Sequence, residues 1–261
     1  MSNSSVPGAS SSMTGSVFAA KHSIYAYSKV LLADPLPHRL GDKLELGDGR
    51  IFRYAVNGAV ELAPAKAVQG PVPSVGHQAM VCPTASATND KHVWVTLDSY
   101  AATANQYAEG MLHVDSTTTI FGVKIKGHLA QTSSTGNLKI NLYDPIPVAT
   151  TVSSTITLTK NLYDGVVVAP NANLTAAIAG VPLITIPATD ATYKYGFWCQ
   201  VGGPCPLYNY GTIVIGQPVG LGGTTDGACG PIAADTTDIW GVTMRLLAAT
   251  NTSLVWLKIG I

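Results

Sequence analysis

Gly41–Gly70 reads GDKLELGDGRIFRYAVNGAVELAPAKAVQG, and its two Xaa-Gly pairs decide how the chain is read. Asp48-Gly49 and Asn57-Gly58 each fall between apolar-rich runs, the strongest short-range signal for a β-hairpin. Asp and Asn tolerate positive φ and Gly adopts it without steric cost, so both pairs suit the primed turns that match strand twist. The stretch therefore predicts a small meander over Lys43–Leu46, Ile51–Val56 and Val60–Leu62, with Ala65–Gln69 leading out. Nothing in it has the pattern of an active site.

Outward from this module the pattern stays β. Short runs recur at His92–Leu97, Tyr107–Val114, Thr119–His128, Asn137–Tyr143, Thr155–Leu158, Gly165–Val168, Leu183–Ile186, Lys194–Val201, Gly211–Val214, Asp238–Leu247 and Ser253–Ile259. Leu138, Ile140 and Leu142 alternate with Lys139, Asn141 and Tyr143, and Phe121, Val123 and Ile125 alternate with Ile120, Gly122, Lys124 and Lys126. A period of two with one polar face marks half-buried antiparallel strands. Turn-rich segments at short intervals point to a sandwich or barrel. Helix signals are thin: Asn171–Ile178 has a cap at Asn171 and a stop at Gly180, and Ala101–Gln106 is weaker still. The predicted class is all-β: a small N-terminal β-hairpin/meander module, then a larger antiparallel β-sandwich or barrel, with a flexible N-terminal arm. The boundaries fall at 1–37 for the arm (1–16 flexible), 38–76 for the module and 77–261 for the sandwich or barrel.

Within the arm, residues 1–16 offer almost nothing to bury. Val17–Leu32 is different, because Phe18, Ile24, Tyr25 and Tyr27 supply apolar and aromatic grip. Two readings stand side by side: the first strand of the core, or an extended arm that docks on an adjacent subunit. In the second, Phe18, Ile24, Tyr25 and Tyr27 are subunit-interface residues.

Composition narrows the function. The 261 residues are 46% hydrophobic and only 11% charged, with 15 basic and 15 acidic side chains and a net charge of zero. Ordinary soluble domains carry about 25% charged residues. Without a basic surplus no nucleic-acid partner is expected. No apolar run approaches the length of about 18 residues that a membrane span needs, so no membrane partner is expected either. The N-terminus lacks the basic and apolar regions of a secretory signal, so the sequons at Asn173 and Asn251 carry no weight. A free monomer usually keeps its charge away from zero, so so neutral a chain favours a homo-oligomer whose surface neighbours cover.

Catalytic patterns are missing. There is no Gly-x-Ser-x-Gly elbow, no phosphate loop and no His-Glu-x-x-His. Gly220–Gly223 is a glycine-rich loop without the Lys and helix that hold phosphate. His92, His113 and His128 form a metal site only if their strands converge, and Asp98, Glu109 and Asp115 serve a hydrolase only if they face one cleft. Cys82, Cys199, Cys205 and Cys229 read as free buried thiols, with one disulfide or a metal site as alternatives. The expectation is a non-enzyme with no cofactor and no catalytic, cofactor-binding or metal residues.

Gly47-Asp48-Gly49-Arg50-Ile51-Phe52-Arg53-Tyr54, then Asn57-Gly58 and Leu62–Gln69, resembles a segment recurrent in structural proteins of tailed bacteriophages. Tyr195–Pro204, Gly211-Thr212 and the closing Leu254–Ile259 are similar to later parts of such proteins, with Pro64 and Cys199 departing from the pattern. The resemblance implies a virion structural protein, foremost a capsid decoration or cement protein located in the virion, with the major capsid protein and copies of itself as partners. The alternatives are another virion component (major shell, tail or fibre protein) and, from a different class, a carbohydrate-binding or hydrolytic β protein.

Overall fold

The computed structural model describes residues 23–116, 119–232, 239–247 and 252–259. Among them there is no α-helix, and a short 3-10 turn covers Val75–His77. The strands are β1 (Tyr27–Leu31), β2 (Lys43–Glu45), β3 (Ile51–Asn57), β4 (Val68–Gln69), β5 (Met80–Val81), β6 (His92–Thr96), β7 (Met111–Ser116), β8 (Thr119–Gly127) and β9 (Asn137–Leu142). They continue as β10 (Thr155–Thr159), β11 (Asp164–Val168), β12 (Ile178–Pro182), β13 (Tyr193–Tyr208), β14 (Pro218–Leu221), β15 (Cys229–Pro231), β16 (Gly241–Leu247) and β17 (Thr252–Lys258). The all-β class with barrel- or sandwich-like sheets is what the alternation predicts. The stretch 1–16 expected to be flexible lies outside the described residues.

The pairing sorts the strands into two bodies. β5 to β10 form a six-stranded antiparallel sheet in the order β5-β10-β7-β8-β9-β6. All its strands feed one core that includes Met80, Val93, Val95, Leu112, Val123, Ile125, Ile140 and Ile156. The alternate residues face outward, so β9 reads exposed–buried along its length. Entry and exit lie together, because β5 pairs β10 through Thr155↔Val81 and Ile156↔Met80. A segment whose ends meet is inserted into a second body with little loop cost.

The second body is built around a closed ring. β13 bonds to β12, β12 to β4, β4 to β11, β11 to β3, and β3 back to β13. Five strands cannot close with every neighbour antiparallel, since the direction would fail to return after one circuit. The mismatch is absorbed at β11–β3, the parallel pair. The ring encloses Ala55, Val68, Val166, Ala179, Tyr195, Phe197 and Cys199. β14 to β17 extend the sheet from the far half of β13, over a core containing Val201, Leu207, Val219, Val255 and Leu257.

This pairing divides the chain differently from a cut at residue 76, because the strands after residue 164 return to the body that holds β2 and β3. Only the first turn of the expected meander forms a hairpin. Leu46 N–H donates to the Arg50 carbonyl at 2.9 Å, and Gly49 adopts φ +86°. This is a three-residue hairpin loop with glycine in the left-handed position, rather than a two-residue primed turn. Asn57-Gly58 does not reverse the chain. Gly58 N–H donates to the Val166 carbonyl at 2.9 Å, and buried Asn57 uses its amide on the carbonyls of Ile186 (3.3 Å) and Pro187 (2.6 Å). The polar groups that suit a turn are satisfied instead by strands distant in sequence. The helix expected at Asn171–Ile178 is also absent: Asn171 bonds Asp226 and Thr224, and β12 begins at Ile178. Ala101–Gln106 is a bridge residue followed by turns.

Candidate interface surface

Ser23 to Leu46 lies as a strap across the outer face of the ring. β3 is buried on both sides: Ala55 enters the ring, while Phe52 and Tyr54 point outward and need a cover. Ile24 and Leu44, with Leu36 and Leu46 partly buried, pack over Phe52, Tyr54 and Trp198. Tyr54 and Trp198 meet edge to face at 5.2 Å, and His38 sits 4.9 Å from Tyr54 and 5.0 Å from Trp198.

The strap's own strand is an edge. β1 pairs antiparallel with β13 from Tyr27↔Phe197 to Leu31↔Tyr193, and among the described residues it has no second strand neighbour. Its pattern alternates exposed and half-buried. Tyr27 packs edge-on to Tyr195 at 5.5 Å, the Lys29 ammonium stands 3.8 Å over the Tyr193 ring, and Lys194 bonds the Leu32 carbonyl at 3.1 Å. Tyr27, Leu31 and Leu32 nonetheless keep 43%, 45% and 46% of their surface in solvent.

Tyr25 links this edge to the β2–β3 turn. Its hydroxyl accepts from Arg50 Nη1 at 3.3 Å, while Arg50 Nε donates to Asp48 Oδ2 at 2.8 Å. The Arg50 backbone N–H donates to Asp48 Oδ1 at 3.1 Å and, with the guanidinium, holds the Asp48 carboxyl below its ordinary range. The turn is pressed against β13 at Gly203, where a Cβ would lie 2.4 Å from the Gly49 carbonyl oxygen, and φ there is +78°. On the other side of the turn Trp256 reaches within 3.6 Å of where a Gly49 Cβ would stand. Tyr25, Arg50 and the exposed Trp256 thus border one turn.

Of the candidate interface residues, Tyr25 and Tyr27 are exposed on this edge, Ile24 is buried within its own chain, and Phe18 lies outside the described residues. The reading of β1 as a strand of the core describes its pairing with β13. Trp256 was not singled out from sequence. Its signal is the alternation of β17, where Ser253, Val255 and Leu257 point inward and leave Trp256 and Lys258 outside.

The other candidates disperse. His128 is buried, His92 is half-buried on β6 and His113 is exposed on β7. Among the described residues no three His, Cys, Asp or Glu side chains are grouped to hold a metal. Glu109 is bound to Lys124 at 2.6 Å and to the Tyr143 hydroxyl; burial raises its carboxyl, but these partners bring it below the ordinary value. All four cysteines are free and buried, as the first of the three readings has it. Burial pushes the thiols of Cys205 and Cys229 up to about 12 and Cys199 well above its ordinary value, which disfavours the thiolate at these three positions. Among the described residues no helix is long and apolar enough to cross a membrane.

No family model matches the chain, and the searches of curated proteins and of solved structures found no match to it.

Proposed function

We propose that the chain is a virion structural protein of the capsid decoration or cement type, bound to the major capsid protein in many copies and to copies of itself, with no catalytic role. The observation that carries this reading is the strap edge: a side of β1 that has no strand neighbour among the described residues, flanked by exposed Tyr25, Tyr27, Leu31 and Leu32. An open strand edge recruits a partner strand, and alternate side chains supply the specificity. Tyr is well suited to such a contact, since its ring buries apolar area while its hydroxyl stays wet. The zero net charge fits a surface that works when packed among repeated copies, where many weak contacts add by avidity.

The test is mass spectrometry of purified particles with copy number, alongside a strap variant. Tyr25→Ser with Tyr27→Thr leaves the buried Ile24 and the β1–β13 ladder in place. It should keep the fold and lower occupancy by about tenfold or more, the scale of losing two modest contact residues. Absence of the protein from particles rejects the virion reading. Unchanged occupancy in the variant rejects the strap as the contact.

A further inference from the structure

The linker that leads into the inserted sheet ends on a buried cluster the proposed function does not use. His77, in the 3-10 turn, is fully buried; Tyr107 and His128 are nearly so. His77 Nε2 lies 2.9 Å from the Tyr100 carbonyl oxygen, and its Nδ1 meets the Tyr107 hydroxyl. A carbonyl only accepts, so Nε2 carries a proton, and in the neutral ring Nδ1 accepts from the Tyr107 hydroxyl. His128 has the opposite tautomer. Its Nδ1 lies 2.9 Å from the Leu129 carbonyl oxygen, and its Nε2 accepts the Tyr107 backbone N–H at 3.1 Å. The His128 ring is therefore neutral, and Tyr107 is held between the two rings.

We propose that this cluster is an acid-sensitive latch, in which protonation of His128 releases the 100–110 loop and with it the hold of the inserted sheet on the 70–77 linker. The two histidines are not equivalent. A second proton on His77 would meet the Tyr107 hydroxyl, which can rotate and become an acceptor. A second proton on His128 Nε2 would meet a backbone N–H, which cannot turn around. Two donors would then face each other, and a buried unpaired donor costs about 1–3 kcal/mol.

The surrounding charges do not offset this. Asp98 Oδ1 accepts from the Ser99 hydroxyl, Glu109 is taken by Lys124 and Tyr143, and Tyr100 faces His77 with its ring. Burial holds His128 below its ordinary value, against the Leu129 carbonyl, which raises it. Burial pushes Tyr107 up to about 12, so its hydroxyl remains a donor across the range. The sign follows: a histidine depressed on folding stabilises the latch above about 6.5, and that stability falls as pH drops toward the lower folded value. The latch also stands in the wall of a cavity of about 270 Å³ between the two bodies, lined by Pro71, Pro73, Ser74, Tyr107, Leu162 and Ala177 among others. Loosening Tyr107 would change how the two bodies meet there.

The test uses the full chain. Hydrogen exchange, corrected for intrinsic rates, is followed from pH 7.5 to 5.0, together with NMR of the imidazole nitrogens. Protection over 100–110 and 125–131 should fall by up to about tenfold per pH unit below about 6.5, while β3 and β13 keep theirs. His128→Gln, which retains an acceptor but does not titrate, should flatten that loss; Tyr107→Phe should leave it in place. If protection over 100–110 does not change, or His128 in the unmodified chain is protonated at an ordinary midpoint without local opening, the proposal is overturned. The nitrogen spectra decide the matter even if the Gln variant fails to fold.

Discussion

The inserted sheet and the ring are built from the same kinds of residue but by opposite rules. In the insert, neighbours in the sheet are mostly near in sequence: β7 pairs β8, β8 pairs β9, and one face of every strand points into a single core. In the ring, β3 finds its partners more than a hundred residues later, on β11 and β13. β13 is buried on both faces through most of its length, with Gly196, Gly202 and Gly203 among its residues. A half-buried strand announces itself by alternation. A strand buried on both faces does not. The two bodies also keep separate cores, since no buried residue of the insert's cluster belongs to the ring's clusters.

If the cores are independent, a lesion in one should leave the other standing. Phe52→Ala empties the space between the strap and the ring, and should cost the ring about 3–5 kcal/mol. In a denaturant titration followed by residue-resolved hydrogen exchange, strands β3 and β13 should open early while β7 to β9 stay closed. Ile140→Ala should do the reverse at a cost of about 2–5 kcal/mol. A single shared transition in both variants would show that the bodies fold as one unit. A sharper form of the comparison is excision. Residues 78–160 alone should unfold cooperatively, because β5 and β10 close the fragment at its own ends; a molten fragment without a cooperative transition would break the contrast.

Smaller effects test the surface that joins the strap to the ring. Asp48→Asn removes the ion pair with Arg50 but keeps a turn-forming side chain, so it should cost less than about 1 kcal/mol. Because the Asp48 carboxyl is held below its ordinary value, its contribution is present above about pH 4 and lost as pH falls below that. The difference between wild type and Asp48→Asn should therefore shrink in acid, as read by thermal melts at pH 7 and pH 3. A constant difference would place the stabilisation in the turn geometry rather than in the charge.

Legibility followed the same divide. Leu138, Ile140 and Leu142 were readable as an inward face because a period of two needs no knowledge of the partner strand. The hairpin at Asp48-Gly49 was readable because its hydrogen bonds are local, Leu46 to Arg50 and Gly49 to Leu46. Asn57-Gly58 carried the same local signal and was used otherwise, since Asn57 could satisfy its amide on the carbonyls of Ile186 and Pro187. Asn171 shows the same conflict, its backbone N–H donating to Asp226 and its side-chain amide to the Thr224 carbonyl. For the candidate surface, Tyr25 and Tyr27 were named from their apolar and aromatic character, whereas Arg50 meets Tyr25, and Trp256 meets the same turn at Gly49, only through folding.

By itself the sequence determined the all-β class, the first hairpin, the inward faces of the insert and the neutral character of the surface, because each depends on spacing or composition within a few residues. Tertiary structure alone decided that the ring closes, that β11 and β3 run parallel to complete an odd circuit, and that Ile24 is spent as a cover for Phe52. It also decided that His77 and His128 clasp Tyr107. The physical reason is common to all of these: a polar group or apolar face is satisfied by whichever partner lies nearest in space, and spacing along the chain does not record which that will be.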